Sequence, residues 1–321
     1  MRASTVLATL LTVALVTLAA APAAFAAADR IAFVRNGDIW TIAPDGSDAT
    51  RLTGGSREDA SPAWSPDHKT VAFVRLPSED DWGDTPDICT VSASGGASHA
   101  IKYKDSLAKT DFHFINSLAY SPDGKKLAFT DMYQLAAGTS QPKPEYNRLV
   151  VIDLKTRKTT VFIKRKWGFG GAIDAGWPIS WSPDGKSLLI SQWGMDSEGG
   201  MTQVFTIATR KLRKLPIADA TWSDWAPDGD TIVVSTYTQS DSSVLIAGPT
   251  GSVIRTLVRG LGWEATPADP SYEDACYSAD GDHVAYTVDP WTGDKGRSVW
   301  IMGTDGSGAH RLTSGEAPAW R

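Results

Sequence analysis

Carboxylates and large aromatics gather in the segments between the regular phrases of this sequence. Asp59, Asp174, Glu273 and Asp274 each stand just ahead of a short run ending in Trp or Tyr. Two such carboxyls at a suitable separation can divide general-acid and general-base work on a glycan. Several oxygens converging on one point can instead hold a hard cation such as calcium (Ca2+), which takes six to eight oxygen ligands. His113, Trp177 and Trp222 fall in segments of the same kind. A flat ring beside a carboxylate accepts a sugar face, a peptide side chain or a cation. The plainer alternative is that the tryptophans wedge between packed sheets and the acids hydrate the surface.

Other chemistries lack their signatures. No G-x-S-x-G elbow is present, so a serine-hydrolase nucleophile is not indicated. His68, His99, His113, His283 and His310 are scattered, whereas a catalytic zinc commonly needs three protein ligands. No glycine-rich phosphate loop opens a helix. Net charge is −6 with 31 Lys and Arg against 37 Asp and Glu, which argues against a phosphate-tracking nucleic-acid binder. No metal ligand set and no catalytic residue is assigned. The candidate ligand-binding residues are Asp59, His113, Asp174, Trp177, Trp222, Glu273 and Asp274.

A repeat must position these residues. Ala63-Trp64-Ser65-Pro66-Asp67-His68 precedes the apolar run Val71–Val74, and the same phrase returns at 119–124, 180–185, 224–229 and 276–281. Pro presets the first central turn position, Asp tolerates the second and Gly accepts the positive φ that closes the hairpin. The run after each turn is long enough for a strand and too short for a helix. A third strand follows, as in Asp38–Ile42, then a Pro44-Asp45-Gly46 type of turn and a fourth strand ending Arg51-Leu52-Thr53. Four antiparallel strands per unit is a propeller blade.

The ends of the chain set the number of blades. Ile31–Arg35 reads as a second strand without a first, and Ala317–Arg321 as a first strand without its turn. Joined, they complete a sixth blade and leave no long sheet edge. The expected fold is therefore all-β, a six-bladed β-propeller over residues 27–321, closed by the C-terminal strand pairing with the N-terminal strands. The repeated Trp64, Tyr120, Trp181, Trp225, Tyr277 and Trp320 are expected in the packing between blades. Cys89 and Cys276 fall in non-adjacent blades and are expected as separate core residues, a disulfide being the lesser alternative.

The WSPDG-like phrase, the strand after it and the RLT ending resemble the TolB-like propeller, a relative of the WD-repeat propellers, from residue 31 to 321. The resemblance implies a periplasmic setting and propeller-mediated protein binding. TolB itself places a small α/β domain ahead of the propeller, which this sequence is not expected to contain, and that departure puts a Tol-type envelope role in doubt.

Residues 1–26 are of another kind. Arg2, the apolar stretch Val6–Leu18 and Ala24-Phe25-Ala26 read as a cleavable secretory signal peptide. The expected product is secreted or periplasmic, monomeric and without membrane insertion. Strand order assigns the tight turns to one rim and the longer insertions, 76–87, 102–116, 132–147, 164–178, 192–201, 259–274 and 289–297, to the other. Function usually sits on loops held by a rigid scaffold, so the second rim is the expected binding face. Two readings follow. The first is an exported, non-catalytic binding module or scaffold for a protein, peptide or cell-surface glycan. The second is a hydrolase or lyase acting at the channel mouth through Asp59, Asp174, Glu273 or Asp274, with or without a divalent ion.

Overall fold

The computed structural model describes residues 29–78, 85–104, 110–135, 145–166, 178–192, 200–262, 266, 268–291 and 296–320. The signal-like segment lies outside them. Among the described residues all 24 elements are strands. They form six four-stranded antiparallel sheets. Blade 1 contains β1 (Ile31–Arg35), β2 (Asp38–Ile42) and β3 (Thr50–Arg51). Blade 2 contains β4 (Asp59–Trp64), β5 (Thr70–Arg75), β6 (Asp87–Ser92) and β7 (His99–Ala100). Blade 3 is the longest, with β8 (Thr110–Tyr120), β9 (Lys126–Leu135), β10 (Glu145–Asp153) and β11 (Thr159–Lys166). Blade 4 contains β12 (Ile179–Trp181), β13 (Ser187–Gln192), β14 (Met201–Thr206) and β15 (Lys211–Lys214). Blade 5 contains β16 (Ala220–Trp225), β17 (Ile232–Tyr237), β18 (Ser242–Ala247) and β19 (Val253–Gly260). Blade 6 contains β20 (Ser271–Tyr277), β21 (His283–Asp289), β22 (Ser298–Gly303) and β23 (His310–Ser314). The last strand, β24 (Glu316–Trp320), belongs to blade 1.

Strand β24 is the innermost strand of the sheet that β1 begins: Ile31 pairs with Trp320, Ala32 with Ala319 and Val34 with Glu316. The expected closure is therefore present. Trp320 is 1% exposed, and its indole N–H donates to Asp29. Arg35 Nε donates to the Ser314 carbonyl at 2.9 Å, tying blade 1 to blade 6.

Each repeated phrase builds the same hairpin. Ser65 Oγ donates to Asp67 Oδ1 at 2.7 Å and accepts from the Thr70 amide at 3.0 Å. Ser121 with Asp123 and Ser182 with Asp184 repeat the 2.7 Å bond. Gly281 sits at φ +78°, where a Cβ would also meet Pro227 of the preceding blade at 3.4 Å, so successive turns abut around the rim. The blade aromatics pack between sheets as expected. Trp64 and Trp181 each donate at 3.2 Å to a carbonyl of the preceding blade's innermost strand, Ala319 and Ala119 respectively. The core is divided into apolar seams between neighbouring blades, such as Ile31, Phe33, Ile301 and Trp320 between blades 1 and 6. Cys89 and Cys276 are buried and free, in blades 2 and 6.

Blade 3 differs from the sequence expectation. Segments 102–116 and 132–147 were expected as rim loops, yet β8 begins at Thr110, β9 continues to Leu135 and β10 begins at Glu145. Polar residues inside these strands hide their alternation. They include His113, Asp131 and Arg148, which meet as one buried cluster.

Candidate functional site

The six innermost strands line an axial cavity of about 770 Å³. Five of them carry a register shift near its mouth: β4 between Ala60 and Ala63, β8 between Ile115 and Ser117, β16 between Ala220 and Trp222, β20 between Glu273 and Cys276, and β24 opposite the Ala32–Val34 step. A bulge re-aims side chains beside a functional opening. Ser61, Asp274 and Ala317, each three residues before the blade aromatic, take the left-handed conformation at φ 52°, 55° and 49°. That uncommon geometry for non-glycine residues turns the preceding side chain, Ala60, Glu273 or Glu316, towards the cavity that all three line.

The mouth is chemically one-sided. Among the described residues, Glu273, Asp274, Asp289 and Glu316, all from blades 6 and 1, meet there with one cation, Arg297. Arg297 Nε donates to Asp289 Oδ2 at 2.8 Å, and Nη1 donates to Glu316 across the blade boundary. Burial alone would weaken the guanidinium's charge, but hydrogen bonds to Asp289 and Glu316 more than offset it and raise its pKa. Asp274 Oδ2 accepts from Thr287 Oγ1 at 2.8 Å and from the Ala317 amide at 3.3 Å. Ser271 Oγ donates to Glu273 Oε1 at 3.0 Å.

Glu273 and Asp274 are half-buried in the wall, and their negative charge is poorly satisfied. Desolvation first, then repulsion from Asp274, pushes the Glu273 carboxyl up to about 7. Desolvation and the charge of Glu316 push Asp274 up to about 6, against the opposing Thr287 bond. The two titrate as a pair. Trp222 and the half-exposed Trp291 stand on the same cavity wall, as does Tyr237, whose phenol is held neutral by burial and by Glu273. An acidic floor flanked by indole faces offers a cationic side chain both charge and ring contacts.

The mouth carboxylates already have protein partners. Asp289 and Glu316 already bond Arg297, and Asp274 already accepts from a hydroxyl and an amide. Among the described residues no group of three or more His, Cys, Asp or Glu is arranged to hold a metal.

The seven expected site residues are dispersed. Trp222, Glu273 and Asp274 line the cavity. Asp59 is 1% exposed and makes a two-pronged pair with Arg75, at 2.7 and 2.9 Å. His113 is 2% exposed, with Nε2 at 2.9 Å from Asp131, which also pairs with Arg148. Asp174 and Trp177 lie outside the described residues. Sequence reasoning missed Arg297 and Asp289 as site residues. They are the two ends of one insertion of the decorated rim, 289–297, whose two acids and two bases balance, so composition gave no signal that they pair.

Six four-stranded blades closed by the two ends of the chain, around an axial channel, define a six-bladed β-propeller. Among solved structures, the chain is similar to TolB from Acinetobacter baumannii, with 21% identity and a TM-score of 0.64 over 91% of this chain and 66% of that one. It is similar to a putative TolB from Agrobacterium tumefaciens at 16% identity and a TM-score of 0.64, covering 90% and 91% of the two chains. An oligogalacturonate lyase in complex with manganese aligns at 17% identity and a TM-score of 0.55, over 86% and 70%. At these identities the likeness is one of fold. No family model and no curated protein matches the sequence.

Proposed function

We propose that this chain is a non-catalytic binding module that takes a protein or peptide segment at its channel mouth. The observation that carries the reading is the one-sided cavity, where, among the described residues, four carboxylates face a single guanidinium and two indoles stand near. Excess negative charge in a half-desolvated site favours a cationic insert, such as a Lys or Arg side chain, and repels an acidic glycan. Protein binding is also the role suggested by the TolB fold neighbours. A secreted or periplasmic location goes with this reading and is supported by the signal-like leader. A monomer goes with it too, since the closed ring leaves no innermost edge unpaired.

A display library of short peptides selected on the intact chain tests the proposal. Peptides rich in Lys and Arg should emerge, and the Glu273→Gln/Glu316→Gln variant should bind them at least about tenfold more weakly, one lost charge contact being worth roughly 1.4 kcal/mol or more. Enrichment of acidic or neutral peptides, or equal binding by the variant, counts against it.

One observation favours a second reading. A carboxyl raised to about 7 is suited to proton transfer near neutral pH, so Glu273 with Asp274 is the pair through which a hydrolase or lyase would work. Turnover of a glycan or peptide panel that vanishes in Glu273→Gln would support it over binding alone.

A further inference from the structure

We infer that the outer edges of blades 3 and 4 form a second binding surface, for a linear anionic polysaccharide, separate from the channel mouth. The chain is acidic overall, yet two stretches reverse the balance. Residues 154–166 hold six Lys or Arg, residues 206–218 hold four, and neither contains an Asp or Glu. Ten of the 31 basic residues thus fall in two short segments. The fold places those segments on neighbouring blades, as β11 with the turn before it and β15 with the turn before it.

The strip is continuous, and among the described residues no carboxylate pairs with its charges. Arg210 of blade 4 lies 5.2 Å over the ring of Phe162 in β11, and Phe162 in turn meets Phe205 of blade 4 edge-on at 5.7 Å. Lys158, Lys164, Arg165, Lys211, Arg213 and Lys214 are all exposed. Among the described residues, the ion pairs of this protein lie elsewhere and none engages a basic residue of either stretch. Lys164 lies over the Tyr146 ring and Arg213 donates to the Pro249 carbonyl, but neither contact supplies a counter-charge, and a group of like charges without counter-ions weakens the folded state by self-repulsion, which a bound polyanion would relieve.

The shape selects the kind of polyanion. β11 is an eight-residue edge strand, roughly 26 Å long at about 3.3 Å per residue. Beyond Thr159, where Lys104 lies alongside, its outer N–H and C=O groups face away from β10, so a neighbouring chain of sugar hydroxyls can bond to them while its acids meet Lys and Arg. The strip carries none of the exposed large apolar side chains, which are Phe114, Val253, Ile254 and Trp291, so it has no wedge for a lipid surface. It likewise shows no exposed ring for bases to stack upon. Blades 3 and 4 lie across the ring from blades 6 and 1, and β11 and β15 are outermost strands, whereas the mouth is lined by innermost ones. A polyanion on the flank leaves the channel free.

Titration of the intact chain with alginate oligomers tests the inference, at 50 mM and 500 mM NaCl. Binding is expected at low salt, weakened at least about tenfold at high salt, because several exposed contacts are screened together. The variant Lys164→Gln/Arg210→Gln/Arg213→Gln should lose most of it, with its melting temperature confirming the fold. A charge-matched control, Lys69→Gln/Lys125→Gln/Lys186→Gln on the turn rim, should keep it, as should Glu273→Gln at the mouth. No alginate binding, equal loss in the control, or tighter binding to vesicles of 30% phosphatidylglycerol in phosphatidylcholine or to poly-glutamate would overturn it.

Discussion

Glu273 and Glu316 occupy the same repeat position, four residues before the blade aromatic, on the adjoining innermost strands β20 and β24. Chain closure is what brings them together, because Glu316 reaches the channel only when the last strand joins the first blade. Arg297 answers this placement by bonding Glu316 from blade 6, so the site and the ring seam share one ion pair. Binding at the mouth and integrity of the fold are coupled through it.

Removing residues 317–321 should abolish cooperative folding, since β1 would lose its inner partner and the seam its largest buried ring. The milder Trp320→Ala should cost about 3–5 kcal/mol as a buried aromatic truncated to a cavity. Thermal unfolding followed by circular dichroism checks both. A truncated chain that melts like the intact one contradicts the ring.

Asp59 should prove structural. Its carboxylate is fully enclosed and bonded twice to Arg75, so Asp59→Ala leaves a part-buried guanidinium without its counter-charge and should cost about 3–5 kcal/mol. Peptide binding at the mouth, measured on the folded fraction, should be unchanged. A variant of normal stability that no longer binds would return Asp59 to the site.

Stability should fall as pH rises from about 4.5 to 7. Glu273 and Asp274 have raised folded-state pKa values, so in this window the folded chain holds protons that the unfolded chain has released. Below it the sign reverses. Serine hydroxyls hold the turn carboxyls Asp67, Asp123 and Asp184 under the usual carboxylate range, and their contribution is lost as pH falls through their folded values. The Glu273→Gln variant should be more stable than the parent at pH 8 by about 1–2 kcal/mol, with channel solvent reducing the full effect. Urea melts at pH 5 and pH 8 give the comparison. A parent chain equally stable at both would refute the strained pair.

Arg297→Gln should be destabilising in the opposite sense. Four carboxylates would then face one another without a cation, at a cost of about 3–5 kcal/mol above pH 7 and less at pH 5, where Glu273 and Asp274 take up protons. The same urea melts read this, and a cost independent of pH would show that Arg297 acts through packing alone.

The sequence revealed the blades more readily than the mouth. The Ser-Pro-Asp-Gly turn and its aromatic are set by local backbone chemistry, so five copies declared the repeat, and the unmatched strands at each end declared the closure. The bulges were hidden. Asp59, Trp222, Glu273 and Asp274 were expected just ahead of the first strands, but they lie within β4, β16 and β20, because a bulge breaks the two-residue alternation that marks a strand. His113 was hidden differently. A charged and aromatic segment reads as a loop unless Asp131 and Arg148, on two other strands, are known to satisfy it. Arg297 could not be tied to Glu316 from sequence, since the pairing exists only across the seam.

Hydrogen–deuterium exchange of the intact chain, with and without a basic peptide selected on it, tests the channel-mouth proposal most directly. Added protection is predicted in 220–225, 271–277 and 315–320, the innermost strands that carry Trp222, Glu273 and Glu316. Protection confined to the outer strands of blades 3 and 4, or none on the inner strands at saturating peptide, would contradict it.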